Sequence, residues 1–143
     1  MTRVDFYSLH ENSNGDRFLL TCRLVERIYG EGLRILIHLP DREQARHLDR
    51  LLWTFRQQSF LPHGLARDAD RELTPILIDQ DGDSGDENQV LINLGLGVPT
   101  YFGSFERLCE PVDRDPTVRD AGRKRYIYYR DRGYPLHHHE IRL

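Results

Sequence analysis

The stretch between residues 114 and 134 contains the residue types best suited to bind an acidic ligand. Seven basic residues lie there: Arg114, Arg119, Arg123, Lys124, Arg125, Arg130 and Arg132. Only three acids accompany them: Asp115, Asp120 and Asp131. The local balance is therefore +4 in a chain whose net charge is -3. Positive charge concentrated on one segment says more about binding partners than the total charge does, so we expect an acidic partner for this segment.

A helix over residues 116–132 would divide these side chains between two faces. Asp115 is a suitable N-cap, Pro116 suits the first turn, and Gly133 followed by Pro135 ends the helix. One face collects small and apolar residues: Val118, Ala121, Gly122 and Tyr129. The opposite face presents Arg119, Arg123, Tyr126 and Arg130, which are spaced by four, three and four residues. This pattern fits either an ordinary amphipathic surface helix with a solvated charged face or a docking face built around a tyrosine.

Residues that could perform catalysis or bind metal do not form a convincing set. Residues 82–85 read Gly-Asp-Ser-Gly, as around a protease serine, but they lie in a polar turn of a short chain. The acidic loop of residues 79–88 has the wrong spacing for an EF-hand, and consecutive His137, His138 and His139 cannot all converge on one ion. No acid–base pair emerges from the motif spacing. We therefore expect no catalytic residue, metal or cofactor.

The order of elements predicts an α/β fold. Apolar runs predict strands at residues 4–9, 35–39, 75–78, 90–94 and 105–112, and helical periodicity begins at Asp16 and Asp41 and again in the basic segment. The directions of the strands at 75–78 and 90–94 are left open. We expect a single domain over residues 1–143, with a Rossmann-like, largely parallel sheet and helices on both faces.

A Rossmann-like sheet raises the question of nucleotide binding. The turn after the first strand, residues 8–15, lacks both GxGxxG and GxxxxGK, so its backbone is not predicted to cradle a phosphate. Gly95 and Gly97 form an isolated GxG, which is typical of a turn. Cys22 and Cys109 are far apart and are expected to be buried thiols in a reducing compartment. With no targeting or membrane-spanning segment, the expected location is the cytoplasm.

The loop of residues 56–64 is unusually apolar for a segment in solvent. It follows Trp53 and Phe55, and it contains Phe60, Leu61 and Pro62. Exposed aromatic side chains are enriched at protein interfaces. Phe60 and Leu61 could therefore form a docking surface, or they could fold back over the sheet.

Several segments resemble the chi subunit of bacterial DNA polymerase III. They are Val-Asp-Phe-Tyr at residues 4–7, Leu-Leu-Trp at 51–53, the loop 59–66, the strand 90–94 and the basic helix around residues 123–126, 129–130 and 133–134. The resemblance covers nearly the whole chain in order. It departs at Ile127, where well-known members have a basic residue.

This resemblance implies a non-enzymatic accessory subunit of the clamp-loader complex. Such a subunit binds the acidic C-terminal tail of single-stranded DNA-binding protein and pairs with the psi subunit, tethering the replisome to coated DNA. Carried over by position, the tail site comprises Val112, Arg119, Arg123 and Tyr126. The psi contact comprises Trp53, Phe60 and Leu61, a surface that a helicase could share.

Two other functions remain as alternatives at this stage. A nucleic-acid-binding module could use the same basic helix on phosphates, although the pI of about 6.1 is low for a dedicated binder. A nucleotide-binding enzyme of unknown reaction is suggested only by the sheet architecture.

Overall fold

A seven-stranded sheet, parallel throughout, forms the centre of the molecule. The computed structural model describes all of residues 1–143. The strands are β1 (Arg3–Leu9), β2 (Ile35–His38), β3 (His63–Leu65), β4 (Ile76–Asp79), β5 (Val90–Asn93), β6 (Arg107–Val112) and β7 (Leu136–Ile141). Their order across the sheet is β3-β4-β2-β5-β6-β1-β7. The predicted α/β class is confirmed, and the sheet is wholly rather than largely parallel.

Three helices cover the two faces of this sheet. They are α1 (Arg17–Gly30), α2 (Arg42–Thr54) and α3 (Pro116–Asp131). Apolar residues of α1 and α2 join one buried cluster, and those of α3 join a second cluster on the opposite face. The strands at the centre alternate between the two clusters: Ile35 and Ile37 face α1 and α2, whereas Leu36 faces the α3 side. All three side chains are fully buried, which explains the nearly continuous apolar run in the sequence.

Each helix begins with an aspartate whose carboxylate binds the first free amides. Asp16 accepts hydrogen bonds from Phe18 and Leu19, Asp41 accepts one from Gln44, and Asp115 accepts one from Thr117. Asp115 is the predicted N-cap, and the helices predicted to begin at Asp16 and Asp41 are capped by those residues. Amides at helix N-termini can hold phosphates in nucleotide-binding proteins. In this protein four such amides already donate to aspartate carboxylates.

Two strands and one connection go beyond the sequence prediction. The short β3 overlaps the end of the segment expected to be a loop, and β7 contains the three consecutive histidines. β4 and β5 both pair in parallel with β2, one on each side of it. The acidic loop between them therefore crosses from one end of the sheet to the other without a helix.

Several smaller expectations can be compared with the structure. Cys22 and Cys109 are buried free thiols, and burial raises the pKa of each to about 12. None of the helices has both the length and the apolar character needed to span a bilayer. No group of three or more His, Cys, Asp or Glu side chains is arranged to hold a metal ion.

Candidate functional site

A cavity of about 360 Å³ lies where α3 crosses over β1 on its way to β7. Its lining residues are Phe6, Tyr7, Ser8, Val112, Arg119, Gly122, Arg123, Tyr126 and His138. None of these nine residues is acidic. We call this cavity the α3 pocket. All four residues predicted for the tail site, Val112, Arg119, Arg123 and Tyr126, line it together.

The α3 pocket has an apolar wall made by residues from three elements. The ring of Phe6, on β1, packs edge-on against Tyr126 with ring centroids 5.4 Å apart. Val112, at the end of β6, is 9% exposed, and Tyr126 is 39% exposed, so the tyrosine forms the outer rim. A Cβ on Gly122 would lie 3.2 Å from Val112, so glycine lets α3 approach β6 closely here. The wall can therefore receive an apolar side chain of a ligand.

Two arginines beside this wall have no partner within the protein. Neither Arg119 nor Arg123 makes a side-chain hydrogen bond or an ion pair, and both are exposed. Other charges on α3 are paired: Lys124 lies 3.5 Å from Asp120, and Arg130 lies 3.1 Å from Asp131. The arginines of α3 that have no acidic partner and are exposed thus lie at the α3 pocket. An unpaired guanidinium can take a carboxylate through two parallel hydrogen bonds.

A buried polar network holds α3 in place behind the pocket. The Arg125 Nε donates to Glu110 across 3.0 Å, the Tyr129 hydroxyl donates to the same carboxylate across 2.6 Å, and Asn93 donates across 3.1 Å. Complete burial raises the pKa of the Glu110 carboxyl, and the Arg125 charge and the hydrogen bonds oppose that rise. Arg125 also donates to the Leu96 carbonyl. Sequence reasoning missed this network.

Sequence reasoning also missed half of the pocket. Phe6 and Ser8 project from β1, and His138 projects from β7, two strands that are adjacent in space but distant in sequence. Alternation along a strand places Phe6 and Ser8 on the face opposite Tyr7, and His138 on the face opposite His139. This alternation could have assigned them to the pocket only if the pairing of β7 with β1 had been known.

A second exposed surface lies at the opposite edge of the sheet, beside β3. Phe60 is 71% exposed and Trp53 is 48% exposed, with ring centroids 6.0 Å apart. Trp53 also packs on His63, at 4.3 Å. Leu61, in contrast, is only 3% exposed and belongs to the α1/α2-side core. The loop therefore folds back at Leu61 and projects outward at Phe60. We call Trp53 and Phe60 the aromatic patch.

Comparison with known proteins identifies the family. The family model described as DNA polymerase III chi subunit, HolC, matches residues 1–137. The chain is 37% identical to the DNA polymerase III subunit chi of Pseudomonas aeruginosa over 99% of its length and 98% of that protein. It is 28% identical to the subunit of the same name from Escherichia coli, over 95% of this chain and 96% of that protein. The chain belongs to the DNA polymerase III chi subunit family.

Membership of the chi family confirms the resemblance found in the sequence. It also confirms the expectation of a non-catalytic accessory subunit of a DNA replication complex. A solved structure, the C-terminal domain of the DEAD-box protein Dbp5, matches with a TM-score of 0.60 and covers 98% of this chain and 90% of that one. The identity is 13%, so this likeness concerns the fold alone.

Acidic residues of the Gly-Asp-Ser-Gly turn and of the loop around it are held by hydrogen bonds and ion pairs. Within the Gly-Asp-Ser-Gly turn, Asp83 accepts a hydrogen bond from the Gly85 amide across 2.9 Å. In the same loop Asp81 pairs with Arg67 and Glu87 pairs with Arg34. The acidic loop is thus tied to the body of the protein by ion pairs.

Proposed function

We propose that this chi-family chain binds the acidic C-terminal tail of single-stranded DNA-binding protein in the α3 pocket. The observation that supports this proposal is the pair of unpaired guanidiniums, Arg119 and Arg123, beside an apolar wall in a cavity that contains no acid. A peptide that ends in acids, an aromatic side chain and a free carboxylate has the complementary chemistry. By holding that tail in the cytoplasm, the subunit would connect the polymerase to coated single-stranded DNA.

The arginines bind the acidic groups of the peptide, and the apolar wall binds its aromatic ring. Arg123 holds the terminal carboxylate, and Arg119 attracts the preceding acids. The terminal aromatic ring packs against Val112, Phe6 and Tyr126. The cavity volume of about 360 Å³ lies at the small end of typical ligand pockets, which suits one side chain better than a folded partner.

Peptide binding to single variants tests the tail proposal. We expect Arg123→Ala to weaken binding of a tail peptide by about 1.5–3 kcal/mol, or roughly tenfold or more, because the peptide carboxylate loses hydrogen bonds to a charged group. Tyr126→Ala removes part of the apolar wall and also weakens binding. Arg130→Ala is the matched control, because it removes an exposed arginine of the same helix that is already paired with Asp131. Fluorescence anisotropy with a labelled peptide measures all three.

Two further ligands sharpen this test. Amidation of the peptide's C-terminus should reduce its affinity for the wild-type chain but have little further effect on Arg123→Ala. Bare single-stranded DNA should bind weakly. Wild-type affinity in both pocket variants would contradict the proposal, and tight binding of bare DNA would favour the nucleic-acid-binding alternative.

We also propose that the aromatic patch is the contact for the psi subunit. Trp53 and Phe60 present two large rings to solvent, and side chains of this kind concentrate binding energy at interfaces. Leu61 supports the loop from inside and is not part of this surface. A helicase that uses the same patch would compete with psi.

Pull-down and calorimetry with the psi subunit test this second contact. Phe60→Ala should weaken pairing by at least tenfold, about 1.4 kcal/mol, without affecting tail binding. Leu96→Ala is the matched control, because Leu96 is 53% exposed but lies beside α3. Equal loss of psi and tail binding in Phe60→Ala would show that the residue has only a structural role.

A further inference from the structure

The three consecutive histidines of β7 have three different environments. His139 faces the α1 side, where its Nε2 lies 2.9 Å from Asp5 and its ring stacks on Tyr7 at 4.7 Å. His137 is exposed and makes no side-chain contact of this kind. His138 points to the other face of the strand and lines the α3 pocket. Because side chains alternate along a strand, His138 faces the α3 pocket and its two neighbours face the other side of the sheet.

His138 is exposed and lines the pocket from the edge strand β7, beside β1. Its Nε2 lies 2.8 Å from the Ser8 hydroxyl, which also lines the pocket. From α3, the groups around the pocket are Arg119, Arg123 and the Tyr126 hydroxyl. On β7 itself, Glu140 shares the face of His138 but lies 3.6 Å from His10 of the neighbouring segment. His138 therefore has no acidic partner in the unliganded protein.

We propose that His138 is a third cationic contact for the peptide bound in the α3 pocket, and that its protonation strengthens binding. This inference rests on the proposed tail function. Histidine is the side chain that changes charge near neutral pH, and a bound carboxylate stabilises its charged form. By linkage, a ligand that favours the protonated state binds more tightly when that state is populated. Ser8 can accept a hydrogen bond from Nε2 and so helps to hold the ring against the pocket.

The pH dependence of peptide binding tests this role. An N-acetylated tail peptide removes the peptide's own amine, and its carboxylates stay ionised between about pH 6 and pH 8. We expect wild-type affinity to rise about two- to fivefold over this range as the pH falls, the size expected for one partly exposed ion pair. His138→Asn should abolish this rise while leaving affinity at pH 8 within about twofold of wild type. His138→Lys should bind tightly at both pH values.

Neighbouring histidines provide the controls. His137→Asn changes the adjacent residue on the same strand and should keep the wild-type pH dependence. His10→Asn tests the other histidine near this end of the sheet and should also keep it. Persistence of the rise in His138→Asn, or its loss in His10→Asn, would overturn the inference.

The outcomes separate this inference from the proposed function. Peptide affinity at pH 8 could depend on Arg123 and yet stay the same at pH 6. That result would contradict the role of His138 but would leave the proposed tail site standing. Failure of the wild-type chain to bind the peptide at either pH would remove both.

Discussion

The Arg125 guanidinium lies 3.0 Å from the Glu110 carboxylate, and both side chains are almost completely removed from solvent. Arg123, two residues earlier on α3, is exposed on the opposite side of the helix and has no partner. The basic segment therefore contains two kinds of arginine. One kind fixes α3 to the sheet, and the other kind remains free to meet a ligand.

Removing one member of the buried pair should destabilise the fold. Arg125→Met leaves the Glu110 charge buried without its cation, and we expect a loss of about 3–5 kcal/mol in the free energy of unfolding. Urea denaturation measures this loss. The double variant Glu110→Leu/Arg125→Met should recover much of the stability, whereas Arg123→Met should change it by less than about 0.5 kcal/mol. A small loss in Arg125→Met would show that the buried pair contributes little.

Adjacent loop residues should respond in opposite ways to truncation. Leu61→Ala creates a cavity in the core, so we expect it to reduce stability by about 2–5 kcal/mol. Phe60→Ala removes an exposed ring and should change stability by no more than about 0.5 kcal/mol while reducing psi binding. Thermal unfolding of both variants measures the difference. Similar losses in the two would contradict the division between a buried and an exposed residue.

Salt should weaken the two proposed interactions unequally. The proposed tail site uses exposed guanidiniums, and charges of this kind are screened over a Debye length of about 8 Å at physiological ionic strength. The proposed psi contact at the aromatic patch uses mainly apolar side chains. Anisotropy and calorimetry across a salt series should therefore show a steep decline for the tail peptide and a shallow one for psi. An equal decline of affinity with salt for both ligands would contradict this prediction, because it would mean that psi binding depends on charge as much as tail binding does.

Asp5 should contribute stability that is lost in acid. Burial alone would raise the pKa of this carboxyl, but hydrogen bonds from His139 and Arg3 and the charge of Arg107 hold it below its ordinary value. A depressed carboxyl pKa stabilises the fold above about pH 4, the unfolded value, and this contribution disappears as pH falls through the lower folded value.

The variant Asp5→Asn tests this contribution. At neutral pH it should cost about 1.5–3 kcal/mol, because hydrogen bonds to a charged group are lost. The difference from wild type should shrink below about pH 4. Asp131→Asn, at an exposed position, is the control. A difference that stays constant with pH would mean that the ionised form of Asp5 adds no stability.

The sequence predicted those parts of the fold whose causes are local. The helix expected over residues 116–132 is observed as Pro116–Asp131, because its cap, its proline and its terminal glycine all lie within a few residues of the ends. β7 was missed because an edge strand with exposed polar residues has a weak apolar pattern. Its existence depends on pairing with β1, which is more than a hundred residues away.

Only the part of the candidate site that depends on local sequence was predicted. Arg119, Arg123 and Tyr126 follow from the periodicity of one helix, whereas Ser8 and His138 require knowledge of which strands lie side by side. Arg125 falls on the buried face, four residues before Tyr129. A buried arginine at this position is explained only by its acidic partner Glu110, which lies on β6.

The α3 pocket is lined by β6, β1 and β7, towards the margin of the sheet formed by β7, and the aromatic patch lies beside β3 at the other margin. Six strand-to-strand spacings of about 4.8 Å separate those edges, a distance of about 29 Å. The sheet between them is continuous and parallel, with a buried core on each face, so it holds the two surfaces apart. Two occupants at opposite margins would share no side chain, so one could exchange while the other remains attached.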